Sequence, residues 1–350
     1  MTPGGEFMPD PCPADEAELE ERLSRPTEAV IEVLRQQPGD LLILGAGGKM
    51  GPSLARMARR SLDAAGSPHR VIAVSRFSNT ALRSALEADG VQTIATDLLE
   101  PTAFDALPDA PNLVFMAGQK FGSRDHPATT WAMNAVLPAL TARRFVNSRT
   151  VIFSTGNVYP FSAVTTRGPT EADAVGPVGE YAMSCLARER IFEDASRTRG
   201  TPVAIVRLNY AVDLRYGVLV DIAQRVRSGA PVPLAMGFAN VIWQGDANAR
   251  ALACLGLAGS PATILNVTGP ERVSVREAAE WFGRRLGRSP VFEGEEAPDA
   301  LLSDASRSMA LLGPLDVGVE TLMDWVATWL ERGGPVLEKP TNFETRDGRF

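Results

Sequence analysis

Short apolar runs alternate with helical patterns from about residue 40 onward, and this alternation constrains the fold more than any other feature of the sequence. The first run, DLLILGAGG, is continuously apolar and ends in glycines, as a buried parallel strand does. Helix-like segments separate the further candidate strands RVIAVS, QTIAT, NLVFMAG, TVIFSTG, PVAIVRLN and TILNVTG. Strands that alternate with helices predict an α/β fold with a doubly wound parallel sheet.

Charge and reactive side chains argue against several functional classes. The net charge of −7 disfavours nucleic acid as the main partner, because proteins that bind it need a basic surface. Three cysteines and two histidines disfavour a disulfide framework, a histidine metal site and a Ser-His-Asp hydrolase. We also see no signal-peptide pattern and no apolar stretch of the ~20 residues that span a bilayer. The expectation is a cytoplasmic protein without a metal or a membrane partner.

The glycine-rich segment GAGGKMG, residues 45–51, follows the first strand and opens a helix. This is the context of a dinucleotide-binding turn, where glycines let the backbone approach a diphosphate at a helix N-terminus. The spacing fits GxxGxxG better than GxGxxG. A glycine turn that binds no ligand is the alternative. The expected cofactor contacts in this segment are Gly45, Gly48, Lys49, Met50 and Gly51.

The end of the second strand indicates which dinucleotide is bound. NAD-specific sites usually place an acidic residue here to bond the ribose hydroxyls, whereas this chain has Ser75 followed by Arg76. A small polar residue and a guanidinium suit a 2′-phosphate better than a diol. NADP is therefore favoured over NAD, and a solvated Arg76 is the alternative.

A series of motifs between about residues 40 and 315 resembles the extended short-chain dehydrogenase/reductase family, in its NAD-dependent epimerase/dehydratase group. GxxGxxG opens the sheet, ATDLLE resembles the family's step after the third strand, and VFMAGQKFG resembles its fourth-strand motif. WAMNAVLPAL, FSTGNVYP and EYAMSCLARE follow in the family's order. The resemblance implies further cofactor contacts from Asp97, Leu98, Ala117, Gly118, Lys120, Asn134 and Tyr181.

The same resemblance implies a reaction. In that family a Ser or Thr hydroxyl and a Tyr phenol bond the substrate oxygen, and the Tyr moves a proton while the nicotinamide takes or gives hydride. Matching the motifs gives Thr155 the hydroxyl role and Tyr181 the acid/base role. The alternative is that Thr155 caps a strand and Tyr181 is a half-buried helix residue.

The lysine of the family's YxxxK motif is replaced by Cys185. In the family its charge helps to lower the phenol pKa, which is about 10 without assistance. A neutral thiol gives no such help. Three explanations remain open: Lys120 replaces the ammonium, the oxidised nicotinamide supplies enough charge, or the chain binds a dinucleotide without catalysis.

Members of the extended family mostly act on sugars, so the resemblance implies a carbohydrate substrate. Dehydratases usually have an acidic residue after the catalytic Thr, where this chain has Gly156, and this favours an epimerase or dehydrogenase at a sugar hydroxyl. The alternative is a non-catalytic dinucleotide-binding regulatory protein. A homodimer is expected. The implied substrate contacts are Thr155, Asn157, Asn209, Trp243 and Gln244.

Composition and pattern also predict how the chain is divided. A smaller, mostly helical lobe is expected to hold the substrate, beside the dinucleotide-binding domain. The expected parts are an N-terminal extension with an acidic helix (1–39), the dinucleotide-binding domain (40–208, completed by about 241–268), the substrate lobe (209–240 and 269–330) and a C-terminal tail (331–350).

Overall fold

A computed structural model of the protein describes residues 11–349, and its centre is a seven-stranded parallel sheet. The strands are β1 Leu41–Leu44, β2 Val71–Ser75, β3 Gln92–Ala95, β4 Asn112–Phe115, β5 Arg149–Thr155, β6 Val203–Leu208 and β7 Thr263–Val267. The sheet order is β7-β6-β5-β4-β1-β2-β3, and every neighbouring pair is parallel. The predicted doubly wound fold is confirmed.

Helices cover both faces of the sheet and build the smaller lobe. Within residues 11–349 none of them combines the length and the apolar composition that crossing a membrane requires. The helices are α1 Glu16–Leu23, α2 Glu28–Gln36, α3 Gly51–Ala64, α4 Thr80–Ala88, α5 Pro127–Trp131, α6 Leu137–Arg144, α7 Gly179–Arg199, α8 Val218–Ser228, α9 Gln244–Ala253, α10 Val275–Leu286, α11 Ser306–Leu312 and α12 Val319–Glu331.

The acidic N-terminal segment forms two helices, because Pro26 and the N-cap residue Thr27 separate α1 from α2. Leu19 of α1 packs into the core of the smaller lobe, whereas Val30 of α2 packs against the sheet. The first ten residues of the predicted extension lie outside the described residues. The segment therefore joins the two parts of the molecule.

The smaller lobe has its own apolar core, in which α8, α10 and α12 pack together. The predicted tail contributes to this core, since the Phe343 side chain is 1% exposed. The lobe boundaries proposed from the sequence stay a prediction.

A buried ion pair ties α7 to the sheet. Glu189 of α7 accepts from Arg207 of β6 at 2.7 Å, and both side chains are almost fully buried. Ser154 at the end of β5 donates to the same carboxylate. Arg207 also donates to the Tyr159 hydroxyl at 2.7 Å, which in turn donates to Asn266 at 2.9 Å. These bonds fix how α7 lies on β5.

We expect Glu189→Gln to lower the free energy of unfolding by about 3–5 kcal/mol, because it leaves the Arg207 charge buried without its counter-ion. Urea unfolding followed by circular dichroism measures this loss. Glu87→Gln, which removes one partner of an exposed pair on α4, is the control and should cost less than about 1 kcal/mol. Equal, small losses in both variants would show that the buried pair does not hold α7.

Candidate active site

A cleft of about 270 Å³ lies at the carboxyl ends of β1, β2, β3 and β4, where the strand order reverses. Ligands of doubly wound sheets bind at this place. Three further predicted residues follow the cleft's glycines in the sequence. Lys49 and Met50 directly precede α3, and Gly51 is the first residue of α3. The predicted residues that line the cleft are Gly45, Gly48, Ser75, Arg76, Asp97, Leu98, Ala117 and Gly118.

The glycine turn is shaped by close backbone contacts. Gly45 has a φ of +94°, and a Cβ there would lie 2.4 Å from the backbone nitrogen of Ala117. A Cβ on Gly51 would lie 2.3 Å from the carbonyl oxygen of Ala46. A Cβ on Gly48 would be in ordinary contact with the Gly45 carbonyl oxygen, at 3.6 Å, and Gly48 lines the cleft. The turn therefore requires glycine at both ends of GxxGxxG.

The residues present fit a dinucleotide. Within the described chain Met50, the N-cap of α3, makes no side-chain capping bond, so the first N–H groups of this helix can bind a diphosphate. Arg76 lies exposed at the far rim, and Asp97 accepts from the backbone nitrogen of Leu99 at 3.0 Å. Phe77, next to Arg76, has a φ of +45°, a conformation that only a few per cent of non-glycine residues adopt.

The predicted acid/base pair is brought together. Tyr181 lies in the first turn of α7, and its phenol is hydrogen-bonded with the side chain of Thr155 at the end of β5 and with Cys185 one turn on. Burial raises the pKa of the phenol well above its ordinary value, and Cys185 raises it further. Burial also raises the pKa of the Cys185 thiol. Both groups are therefore protonated at neutral pH.

Two cations lie beside this pair. The Lys120 ammonium is 5.8 Å from the centroid of the Tyr181 ring, and burial lowers its pKa to about 8. Arg188, two turns after Tyr181 on α7, opposes the rise in the pKa of Tyr181. Sequence analysis missed Arg188, although its spacing of seven residues places it on the same helix face.

Asn134, a predicted cofactor contact, makes its hydrogen bonds within the protein, and its contact with a cofactor stays a prediction. Its side chain is fully buried and lies in a π-helical segment between α5 and α6. The amide oxygen accepts from the Gln119 nitrogen at 2.9 Å and from Arg188 at 2.7 Å, and the amide nitrogen donates to the Gln119 carbonyl at 2.9 Å and to Ser184 at 3.0 Å. Asn134 thus positions the loop that carries Lys120.

Trp243 and Gln244, two of the predicted substrate contacts, have buried side chains, and their contact with a substrate stays a prediction. The Trp243 ring packs edge-on against Trp325 in the lobe core, at 5.4 Å between centroids. Gln244, 4% exposed, donates to Ser53 of α3 at 3.1 Å. Gln244 begins α9, which packs against α3, and Trp243 is the N-cap residue of this helix.

Unpartnered polar groups lie beside Thr155. Among residues 11–349 neither the amide nitrogen of Asn209 nor the hydroxyl of Ser303 has a hydrogen-bond partner, and both residues are at most 2% exposed. Both border Gly156, where a Cβ would lie 2.9 Å from Asn209 and 3.0 Å from Ser303. Asn157 accepts from the Thr155 hydroxyl at 2.9 Å. Sequence analysis missed Ser303, which has no motif around it.

Residues 41–212 match the model of the NAD dependent epimerase/dehydratase family. Over 337 residues, 91% of this chain and 85% of the relative, the sequence is 27% identical to the 2′-dehydrokanamycin reductase of Streptomyces kanamyceticus.

Solved structures share the fold. MoeE5 in complex with UDP-glucose and NAD gives a TM-score of 0.67 at 20% identity, over 84% of this chain and 99% of that one. The UDP-glucose 4-epimerase of Thermotoga maritima with UDP-glucose gives 0.68 at 16% identity, over the same shares.

The chain has four tyrosines, and burial raises the pKa of each: Tyr159, Tyr181, Tyr210 and Tyr216. At pH 10 we expect almost no phenolate in the folded protein and about half of the phenols ionised in urea, because the unperturbed pKa is about 10. Absorbance at 295 nm measures both states. A folded protein that titrates like the unfolded chain would contradict the description of these sites.

Proposed function

Residues 41–212 make this chain a member of the NAD-dependent epimerase/dehydratase family, and from that premise we propose that it reduces a ketone on a sugar or sugar derivative with NAD(P)H. The observation that carries the proposal is the half-buried phenol of Tyr181, whose raised pKa keeps it protonated and which is hydrogen-bonded with Thr155. Tyr181 is the proton donor, and Thr155 orients the substrate oxygen.

The bound dinucleotide would supply the hydride that reaches the carbonyl carbon. Tyr181 gives its proton to the carbonyl oxygen, so the C=O group becomes CH–OH and the phenol becomes phenolate. Thr155 donates a hydrogen bond to the same oxygen and so favours the charge that develops there. Lys120, whose pKa is about 8, can return a proton to the phenolate near neutral pH.

The thiol of Cys185 favours reduction over oxidation. Oxidation of a hydroxyl begins with the phenolate, whereas reduction begins with the protonated phenol. The thiol hydrogen-bonds the phenol, and its charged form would raise the phenol pKa further, so the protonated form dominates. An epimerase oxidises and then reduces its substrate in one cycle, so it needs both the phenolate and the phenol. A lysine at position 185 would make the phenolate easier to form and would therefore suit an epimerase better.

Two further observations support the proposal. The curated relative is named as a reductase, and its similarity extends over most of both chains. The amide nitrogen of Asn209 and the hydroxyl of Ser303 have no hydrogen-bond partner among the described residues, and both residues lie beside Gly156, which follows Thr155. These two groups could bind a sugar hydroxyl next to the reacting carbon. Asn157 borders the same place. The homodimer and the cytoplasmic location stay predictions.

The proposal is tested by following NADPH and NADH consumption at 340 nm with a panel of keto-sugars that includes 2′-dehydrokanamycin. We expect consumption with at least one of them and a loss of about 10²–10⁴-fold in kcat for Tyr181→Phe, because this change removes the proton donor. A retained cofactor with isomerised sugars and no net absorbance change would point to an epimerase. Cofactor binding without any turnover would point to the non-catalytic alternative.

Cys185→Lys should change the pH dependence of the reverse reaction. In the parent chain oxidation should rise with pH up to pH 10, because the raised pKa keeps the phenol protonated until above that range. An ammonium at residue 185 lowers the phenol pKa, so the same rise should occur at least about one pH unit lower. Initial rates of NADP⁺ reduction between pH 7 and pH 10 measure this.

Cys185→Met is the control for this experiment, since it changes the size of the buried side chain without adding charge. Thermal unfolding shows whether each variant folds. Identical oxidation profiles in folded Cys185→Lys and in the parent chain would refute the role given to the thiol.

Arg76 supports NADP as the preferred dinucleotide, because its guanidinium lies at the rim of the cleft where a 2′-phosphate would lie. Arg76→Ala should raise KM for NADPH about 10–100-fold and leave KM for NADH within about twofold, since only one of them carries the phosphate. Arg83→Ala, an exposed change on α4, should alter neither value. A lower KM for NADH than for NADPH in the parent chain would contradict the proposed preference for NADP.

A further inference from the structure

The C-terminal strap, which we define as residues 341–349, is packed against the protein although its sequence is polar. This sequence, TNFETRDGR, has one large apolar side chain, that of Phe343, which lies in the core of the smaller lobe and is 1% exposed. Thr341 donates to Asp221 of α8 through its nitrogen at 2.8 Å and through its hydroxyl at 2.6 Å. These contacts anchor the strap on the smaller lobe.

Beyond this anchor the strap reaches the start of α7, the helix that carries Tyr181. The backbones of Gly348 and Gly179 meet there, and their φ values are +70° and +83°. A Cβ on Gly348 would lie 2.2 Å from the Val178 carbonyl oxygen, and a Cβ on Gly179 would lie 2.5 Å from the Gly348 carbonyl oxygen. Both positions therefore require glycine, and only glycine lets the two backbones approach so closely.

Contacts from elsewhere in the chain hold the first turn of α7. Its N-cap residue, Val178, makes no side-chain capping bond to any residue between 11 and 349. The first N–H groups of a helix have no intrahelical partner, and a capping side chain usually fixes this end. Glu180 in this turn accepts from the Trp131 ring nitrogen at 2.6 Å. The strap supplies a second contact, at Gly179, two residues before Tyr181.

Arg346 connects the same strap to the smaller lobe. Its guanidinium donates to the carbonyl oxygens of Ala235 at 3.1 Å and of Asp299 at 3.0 Å, and it forms an ion pair with the Asp299 carboxylate. The guanidinium also lies over the Phe161 ring, 4.3 Å from its centroid. Contacts with three separate segments thus fix the orientation of this side chain.

The segment that Arg346 holds leads to Ser303. Residues 299–300 pair antiparallel with residues 162–163, which follow β5, and Ser303 comes three residues after this pair. The Ser303 hydroxyl would lie 3.0 Å from a Cβ on Gly156, next to Thr155. The strap therefore contacts the helix that carries the proposed proton donor and the segment that leads to a proposed substrate contact.

We propose that the C-terminal strap completes the substrate side of the site, with Gly348 and Arg346 as positioning residues. Gly348 sets the position of the first turn of α7 and hence of Tyr181, whereas Arg346 sets the position of the segment that leads to Ser303. Neither residue takes part in the chemistry. The effect on the rate rests on the proposed function, but the contact with α7 can be tested without a substrate.

The strap should matter for the ketone and not for the dinucleotide. The dinucleotide cleft is lined by residues that lie between Gly45 and Leu137 in the sequence, whereas the strap contacts α7, α8 and segments around residues 161, 235 and 299. Rates fall steeply when a reacting group is displaced by even about 1 Å. Loosening the strap should therefore reduce turnover while cofactor affinity is kept.

Gly348→Ala tests the contact with α7. The new Cβ cannot remain 2.2 Å from the Val178 carbonyl oxygen, so the end of the strap must move away. Hydrogen exchange followed by mass spectrometry should then be faster in peptides that cover residues 179–187. Gly333→Ala is the matched control, because Gly333 has a φ of +73° and a Cβ there would have no atom of the described chain within 4 Å. It should leave exchange in these peptides unchanged.

The same two variants test the effect on the reaction. Gly348→Ala should lower kcat for the keto-sugar about 10–100-fold and leave Kd for NADPH within about twofold, because it displaces Tyr181 and not the cleft. Gly333→Ala should change neither value. Thermal unfolding should show that both variants are folded.

Arg346→Met tests the contact that leads to Ser303. It removes the ion pair with Asp299 and the two carbonyl bonds, and it keeps an unbranched side chain beside Phe161. KM for the keto-sugar should rise about 2–10-fold with a smaller change in kcat, because Ser303 is proposed to bind the substrate and not to move a proton. Arg349→Met is the control on the same strap, since Arg349 pairs with the nearby Asp347 at 3.5 Å, and it should leave KM unchanged.

The outcomes separate this inference from the proposed function. Unchanged exchange at the start of α7 in Gly348→Ala overturns the positioning by Gly348. Unchanged kinetics for the keto-sugar in Gly348→Ala and Arg346→Met overturn the role of the strap in the site, and so does an equal loss of NADPH affinity. If the parent chain reduces no keto-sugar, the proposed function fails, and the exchange measurement still decides whether the strap holds α7.

Discussion

The buried pair of Glu189 and Arg207 sets the geometry on which the proposed chemistry depends. Glu189 lies on the helix that carries Tyr181 and Cys185, and Ser154, which donates to it, directly precedes Thr155. The pair therefore fixes the acid/base helix against the strand end that holds its partner hydroxyl. An apolar contact of equal size could stabilise the fold as well. The bonds from Ser154 and Arg207 to Glu189 are what connect α7 to β5 and β6.

The charges around Tyr181 then determine whether reduction or oxidation is favoured at the site. Around Tyr181 the helix supplies a neutral thiol where the family resemblance implies a lysine. Two cations lie nearby, Arg188 on the same helix and Lys120 on the loop after β4. Neither prevents burial from keeping the phenol protonated.

Local sequence patterns predicted the sheet, the glycine turn and the pairing of Thr155 with Tyr181, because strand alternation and motif spacing act over short distances. They say nothing of contacts between residues that are far apart in the sequence. The side chain of Asn134 is hydrogen-bonded to the backbone of Gln119. The Trp243 ring packs against Trp325, which is 82 residues away in the sequence. Ser303 reaches the surroundings of Gly156 from the far end of the chain, which no local pattern could reveal.

The central claim is that a nicotinamide ring reacts next to the Tyr181 phenol. A crystal structure with bound NADPH and a substrate analogue measures the distance between the Tyr181 hydroxyl oxygen and C4 of the nicotinamide. The account predicts a separation below about 6 Å, with the substrate oxygen between them in contact with Thr155. A ring bound elsewhere, or a phenol still bonded only to Thr155 and Cys185 in the complex, would contradict it.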